Sequence, residues 1–170
     1  ALSSHELQKV SKSINIEAVK AKLSTSGYRK FANEIYEFIV DVGPIGASYQ
    51  PGHAHADMLS FVLYHQNSPI ILDTGTSTYT ANKRRQLERS TSSHNSVTIV
   101  NANQSEVWGG FRVARRAKIK IIEDEPQLLV AEHDGYQKFG AIHQRKFIFD
   151  ESQIKIIDFV QGSDKKGLAH

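Results

Sequence analysis

The sequence predicts an all-β fold, an antiparallel β-sandwich preceded by a short helical or linker segment. Short runs of β-branched, aromatic and aliphatic residues follow one another from about residue 34 to residue 160. Turn signals such as Glu125-Pro126, Asp134-Gly135 and Asp150-Glu151-Ser152 separate them at close spacing. Many short strands so punctuated belong to sandwiches or barrels. A chain of 170 residues is also long enough for one domain with a real core.

Residues 1–25 are polar, with Ile14, Ala18 and Leu23 only loosely periodic, and read as a linker or peripheral helix. Residues 26–170 are read as the sandwich domain. Glu34 to Val42 is the first expected strand, ended by Gly43-Pro44-Ile45-Gly46. Tyr49-Gln50-Pro51-Gly52 is a second breaker. Met58 to His65 and Ile70 to Leu72 are the next strands, with a turn at Asn67-Ser68-Pro69. Ala81 to Arg89 holds good helix formers and predicts one or two helical turns. Ser96 to Val100 alternates as a strand, and 101–110 reads as a loop carrying Gln104, Glu106 and Trp108. Ala117–Ile122, Leu128–His133, Ala141–Phe149 and Ile154–Val160 complete the set. A sandwich normally carries more strands than these, so the reading expects an incomplete domain, truncated at both ends. Its open edges could pair with another copy as a homodimer.

Composition excludes several classes. No apolar run approaches the roughly 20 residues that cross a bilayer. With no cysteine there is neither a disulfide nor a thiolate metal site. A net charge of +3 mildly favours an anionic partner. The basic residues are scattered and lack interleaved stacking aromatics, which argues against nucleic acid.

The chemistry concentrates in Gly52-His53-Ala54-His55-Ala56-Asp57-Met58-Leu59-Ser60-Phe61. If this stretch is extended, His53, His55 and Asp57 share one face. Zinc accepts histidine nitrogen and aspartate oxygen without cysteine, and Asp73 and His94 also stand at expected strand ends. The bland alternative is a pair of ordinary polar histidines at a strand entrance. His53 is the better proton shuttle if His55 is committed to a metal. Arg89, Arg112, Arg115 and Arg116 could pair with carboxylates or sulfates, though charges beside strands are usually just solvated. Trp108 could stack on a sugar ring or anchor the core. His65, His133 and His143 lie in or beside strands without obvious partners and read as structural.

The order of the motifs carries a resemblance. Gly-His-Ala-His-Ala-Asp-Met-Leu-Ser-Phe (52–61) is followed by Leu-Asp-Thr-Gly-Thr (72–76) with Tyr79, then Arg-Ser-Thr-Ser-Ser-His-Asn-Ser-Val (89–97). Gln-Ser-Glu-Val-Trp-Gly-Gly-Phe-Arg (104–112), Arg-Arg-Ala (115–117) and His-Asp-Gly-Tyr (133–136) come next. From about Gly27 onward the chain resembles the heparinase II/III-like family of bacterial polysaccharide lyases. The resemblance implies a helical toroid domain joined to an antiparallel sandwich, of which only the sandwich is matched here. It implies zinc on His55, Asp73 and His94, and His53 facing the substrate cleft as a catalytic residue. Arg89, Trp108 and Arg112 are the expected substrate contacts. The implied reaction is β-elimination on a uronic acid within an anionic polysaccharide, in the periplasm or outside the cell. The family's catalytic tyrosine, and the asparagine or histidine that neutralises the carboxylate, come from the toroid, so the chain alone is expected to be weakly active or inactive. The competing readings are a carbohydrate-binding module, a relative that helps build polysaccharide, and a metal-dependent hydrolase using His53, His55 and Asp57.

Overall fold

The computed structural model describes residues 26–162 and 167–170. In chain order its elements are β1 (Tyr28–Ala32), β2 (Tyr36–Asp41), β3 (Phe61–His65), β4 (Ser68–Ile71), helix α1 (Lys83–Glu88), β5 (Val97–Ile99), β6 (Val107–Trp108), β7 (Arg112–Val113), β8 (Ile119–Glu125), β9 (Leu128–His133), β10 (Ile142–Phe149), β11 (Ile154–Gln161) and β12 (Gly167–Ala169). Two four-stranded antiparallel sheets dominate, one ordered β1-β2-β3-β4 and the other β11-β10-β9-β8. β5 pairs with β12, and β6 with β7.

The two large sheets meet through the alternation that a half-buried strand imposes. On β10 every second residue is buried, so His143, Arg145, Phe147 and Phe149 point inward while Gln144 and Lys146 point out. Phe147 meets Phe38 of β2 with ring centroids 5.7 Å apart, and Phe149 stacks on Phe31 of β1 at 5.8 Å. Val40, Leu59, Leu129 and Ala131 complete this core. Each fully buried phenylalanine contributes about 2 kcal/mol.

Most expected elements are present with shifted ends. The turn between β3 and β4 is at Gln66-Asn67, both at positive φ (47° and 63°), as a two-residue hairpin loop of matching twist requires. α1 is shorter than expected and begins where the Asn82 side chain accepts the Arg85 amide at 2.9 Å. β1 was not foreseen, because Tyr-Arg-Lys-Phe-Ala alternates only weakly. The 101–110 loop includes β6, which pairs with β7 around Gly109 at φ +56°. The region expected as an N-terminal linker or helix lies outside the described residues.

The largest correction concerns the histidine row. Residues 51–53 form a 3-10 turn rather than a strand entrance. The strand expected from Met58 starts at Phe61, because Leu59 adopts φ +61° and Ser60 donates its amide back to Asp57 O at 3.0 Å. His53 is exposed and His55 buried, so they do not form one row along a strand face.

Candidate metal centre and substrate cavity

Three loops converge beyond the ends of β2, β4 and α1. The first carries His55. Arg89 clamps it from both sides, its Nε donating to Ala54 O at 3.1 Å and its carbonyl accepting the Ala56 amide at 3.0 Å. Asp57 follows two residues on. The second loop brings Asp73, whose Oδ1 accepts the Gly75 amide at 2.8 Å. In the third, a 3-10 turn at Thr91–Ser93 delivers His94. The neighbouring Asn95 ties the loops together, its Nδ2 donating to Phe61 O at 2.7 Å and Leu72 O at 3.2 Å.

His55, Asp57 and His94 each offer a ligand atom, and those atoms lie within 4.8 Å of one another. Asp73 joins them, its Oδ2 2.6 Å from His94 Nδ1. His94 is 2% exposed, and its Nε2 is buried without a hydrogen-bond partner. An orphaned buried nitrogen is costly unless something else binds it. A ring held at one nitrogen by a carboxylate and open at the other matches the usual setting of a ligating histidine. The donor set is one that zinc accepts.

The electrostatics follow from burial and crowding. His55 is lowered to about 4, first by burial and then by His94, Arg85 and Arg89 nearby. It is therefore neutral at pH 7, the form that ligates metal. Burial pushes Asp57 up to about 7 and Asp41 up to about 6. Burial would also raise Asp73, but its hydrogen bond with His94 and the charge of that ring outweigh it, and the carboxyl is lowered. For His94 burial opposes the charge, yet the Asp73 bond and the Asp57 carboxylate win and the pKa is raised.

A cavity of about 590 Å³ opens in front of the cluster, lined among others by Tyr28, Asp41, His53, His55, Asp57 and Asp73. The structure thus brings the expected His53, His55 and Asp73 to one cavity, with His94 buried against them. It does not bring the three expected substrate contacts there. Arg89 is fully buried, and its guanidinium donates to the carbonyls of Ala54, Trp108, Gly109 and Arg112. A side chain so engaged shapes loops. Trp108 is 42% exposed, which excludes the core-anchor alternative, and pairs across the hairpin with the exposed Arg112. Neither lines the cavity.

Sequence reasoning missed Arg85. Its Nη1 donates to His55 Nε2 at 2.9 Å and to Thr76 Oγ1 at 3.2 Å. Arg85 and Arg89, four residues apart, lie on one face of a short helical segment. That spacing was legible, but arginine is so rarely buried that the face reads as solvated. Asp41 and Tyr28 were missed because the strands that carry them gave no chemical motif.

The chain belongs to the heparinase II/III-like family: the model of its C-terminal domain matches residues 17–169. Solved structures agree. A heparinase III gene product is 26% identical, with a TM-score of 0.66 over 84% of this chain and 22% of its own. The same protein with methylated lysines gives 25% identity and 0.65 over 81% and 21%. A mutant of the heparan sulfate lyase HepC from Pedobacter heparinus, at 22% identity, shares the fold with a TM-score of 0.60 over 86% of this chain and 23% of its own. The chain thus spans about a fifth of the length of these structures. Among curated proteins, none matches.

Proposed function

We propose that this chain is the sandwich part of a polysaccharide lyase that cleaves a uronic-acid-containing polymer by β-elimination, working with a helical domain that supplies the remaining catalytic groups. The convergence of His53, His55, Asp57 and Asp73 on one cavity, with the unpartnered His94 Nε2 behind it, supports this reading most directly. In such a reaction a base removes the proton beside the carboxylate, and the 4-linked sugar leaves with a proton from a nearby donor. His53 is exposed and lines the cavity, which supports its reading as the residue that would meet substrate. His55 and His94, with Asp73 as the resemblance implies or Asp57 as proximity favours, would hold zinc. That ion would supply a structural cross-link between loops and so fix the wall that presents His53. Asp57, raised to about 7 by burial, leaves the wall less anionic at neutral pH than three ionised aspartates would be, which suits a carboxylated substrate. An extracytoplasmic location goes with a polymer substrate; among the described residues no helix is long and apolar enough to cross a membrane.

The test is metal content together with polymer binding and cleavage. The purified chain is expected to hold about one zinc, to lose it in His55→Ala, and to bind heparan sulfate or alginate while releasing little unsaturated uronate by itself. Joined to its helical domain it should release unsaturated ends, and His53→Ala should suppress that release. A folded chain that holds no zinc and binds no uronate polymer overturns the proposal. Tight polymer binding without elimination in the joined protein favours the binding-module reading, for which the exposed aromatic residues Tyr79, Trp108 and Phe111 speak.

A further inference from the structure

Two aromatic rings from distant parts of the chain meet against His53, which lines the cavity. Tyr79 lies in the segment between β4 and α1, and Phe111 at the turn of the β6–β7 hairpin. Their rings stack with centroids 5.8 Å apart and planes 15° apart. His53 stands edge-on to both, at 5.3 Å from Tyr79 and 5.6 Å from Phe111. The pair is built in rather than left over. The fully buried Arg85 holds its guanidinium carbon 5.3 Å from the Tyr79 centroid and 6.0 Å from that of Phe111, in cation–π range. The same Arg85 donates to Gly110 O at 3.1 Å and so fixes the hairpin that carries Phe111. At Gly110 a Cβ would come within 3.2 Å of Tyr79 O, so this glycine permits the hairpin to lie close on the Tyr79 backbone.

For all this support, Tyr79 remains 54% exposed and Phe111 48% exposed. A contiguous apolar patch that is held rigid, half in water and beside a polar cavity marks a place where something else binds. We propose that Tyr79 and Phe111 form a sugar-binding shelf, which takes the apolar face of a pyranose ring adjoining the one beside His53. The choice of occupant rests on the polysaccharide reading above and on two observations. His53 touches both rings and lines the cavity, so a polymer in the cavity continues onto the shelf. The exposed Arg112, next to Phe111, gives the shelf a cationic rim for an anionic chain. The shelf takes over the stacking role that the sequence suggested for Trp108.

Hexasaccharides of heparan sulfate and of alginate are the probes, titrated calorimetrically into the chain and its variants. Phe111→Ala and Tyr79→Ala should each weaken binding by about tenfold, the upper range for one aromatic contact. Zinc content and the urea midpoint should stay unchanged, since both rings are half exposed. Tyr79→Phe and Phe111→Tyr should retain affinity, because a ring face rather than a hydroxyl is what binds; loss in Tyr79→Phe overturns the stacking role. Unchanged affinity in both alanine variants overturns the shelf and leaves the family function standing. A wild-type chain that holds zinc but binds neither probe overturns the shelf and the polymer reading together. Self-association that disappears in the alanine variants would make the patch an interface between copies, and would also overturn it.

Discussion

Among the described residues two histidine pairs are buried, and they are built to opposite ends. In the second sheet the Gly135 amide donates to His133 Nδ1 at 3.1 Å, and His133 Nε2 lies 3.0 Å from His143 Nδ1. His143 Nε2 in turn is 2.7 Å from Asp158 Oδ1. Every ring nitrogen has a partner. Arg145, 2% exposed, grips both oxygens of Asp158 and donates to Leu59 O at 2.8 Å and Asn95 O at 2.6 Å. In the cavity the pair His55 and His94, with ring centroids 5.2 Å apart, is also tied to a carboxylate, yet His94 Nε2 has no partner. The first pair is a closed chain that holds the fold. The second leaves one buried ring nitrogen open. A buried histidine marks a site when its hydrogen bonds are incomplete, not merely because it is buried. The closed pair also serves the open one, since Arg145 ends on the carbonyls of the two loops that carry Asp57 and His94.

That contrast can be broken at several points. The largest effect is expected from Arg145→Met. It leaves Asp158 without its cation and frees two loop carbonyls, and should cost about 3 kcal/mol in urea unfolding. Zinc comes next. At a hundredfold excess over its Kd it should stabilise the wild-type chain by about 2.7 kcal/mol. The gain should vanish in His94→Ala and survive in His143→Ala, measured against each variant's own metal-free midpoint. Asp57→Asn and Asp73→Asn, compared in the same assay, tell which carboxylate is the ligand and which only orients His94.

Acid tests the closed pair in turn. Burial lowers His133 well below its ordinary value and also lowers His143, in the latter case against the pull of Asp158. Below about pH 6.5 the unfolded chain therefore takes up protons that the folded pair refuses. Stability of the metal-free chain falls with falling pH, by up to about 1.4 kcal/mol per unit for each histidine. Asp158, lowered to about 2 by its bonds to His143 and Arg145 against the cost of burial, adds a further loss between about pH 4 and 2. Asp57 has the opposite sign. Raised to about 7, it keeps a proton in the folded state that the unfolded chain has released, so its contribution is lost as pH rises from about 4 to 7. Asp57→Asn should steepen the rise in stability between pH 5 and 7, and His133→Gln should flatten it; equal slopes in urea midpoints would contradict both assignments. The smallest effect belongs to Trp108→Ala. A side chain 42% exposed and outside the main core should change stability by less than about 1 kcal/mol.

Much of this was legible in the sequence. Short apolar runs between turn signals marked β9, β10 and β11 nearly to the residue, and on β10 the buried side chains fall at every second position. The order of the motifs identified the family, and with it the residues His53, His55, Asp73 and His94 that meet at the cavity. Several things were decided only by packing. Local sequence did not show that 51–60 turns instead of extending, since Leu59 takes φ +61° where its carbonyl meets Arg145 from a strand 86 residues away. Nor did it show that Arg85 and Arg89 are buried, because what makes burial tolerable is a set of carbonyls and a histidine supplied by remote loops. That Phe111 rather than Trp108 stands beside His53 is likewise decided by which loops the two sheets bring together. The chemistry of each side chain is local. Which of its hydrogen bonds are completed, and which are left open, depends on neighbours that only the folded chain provides.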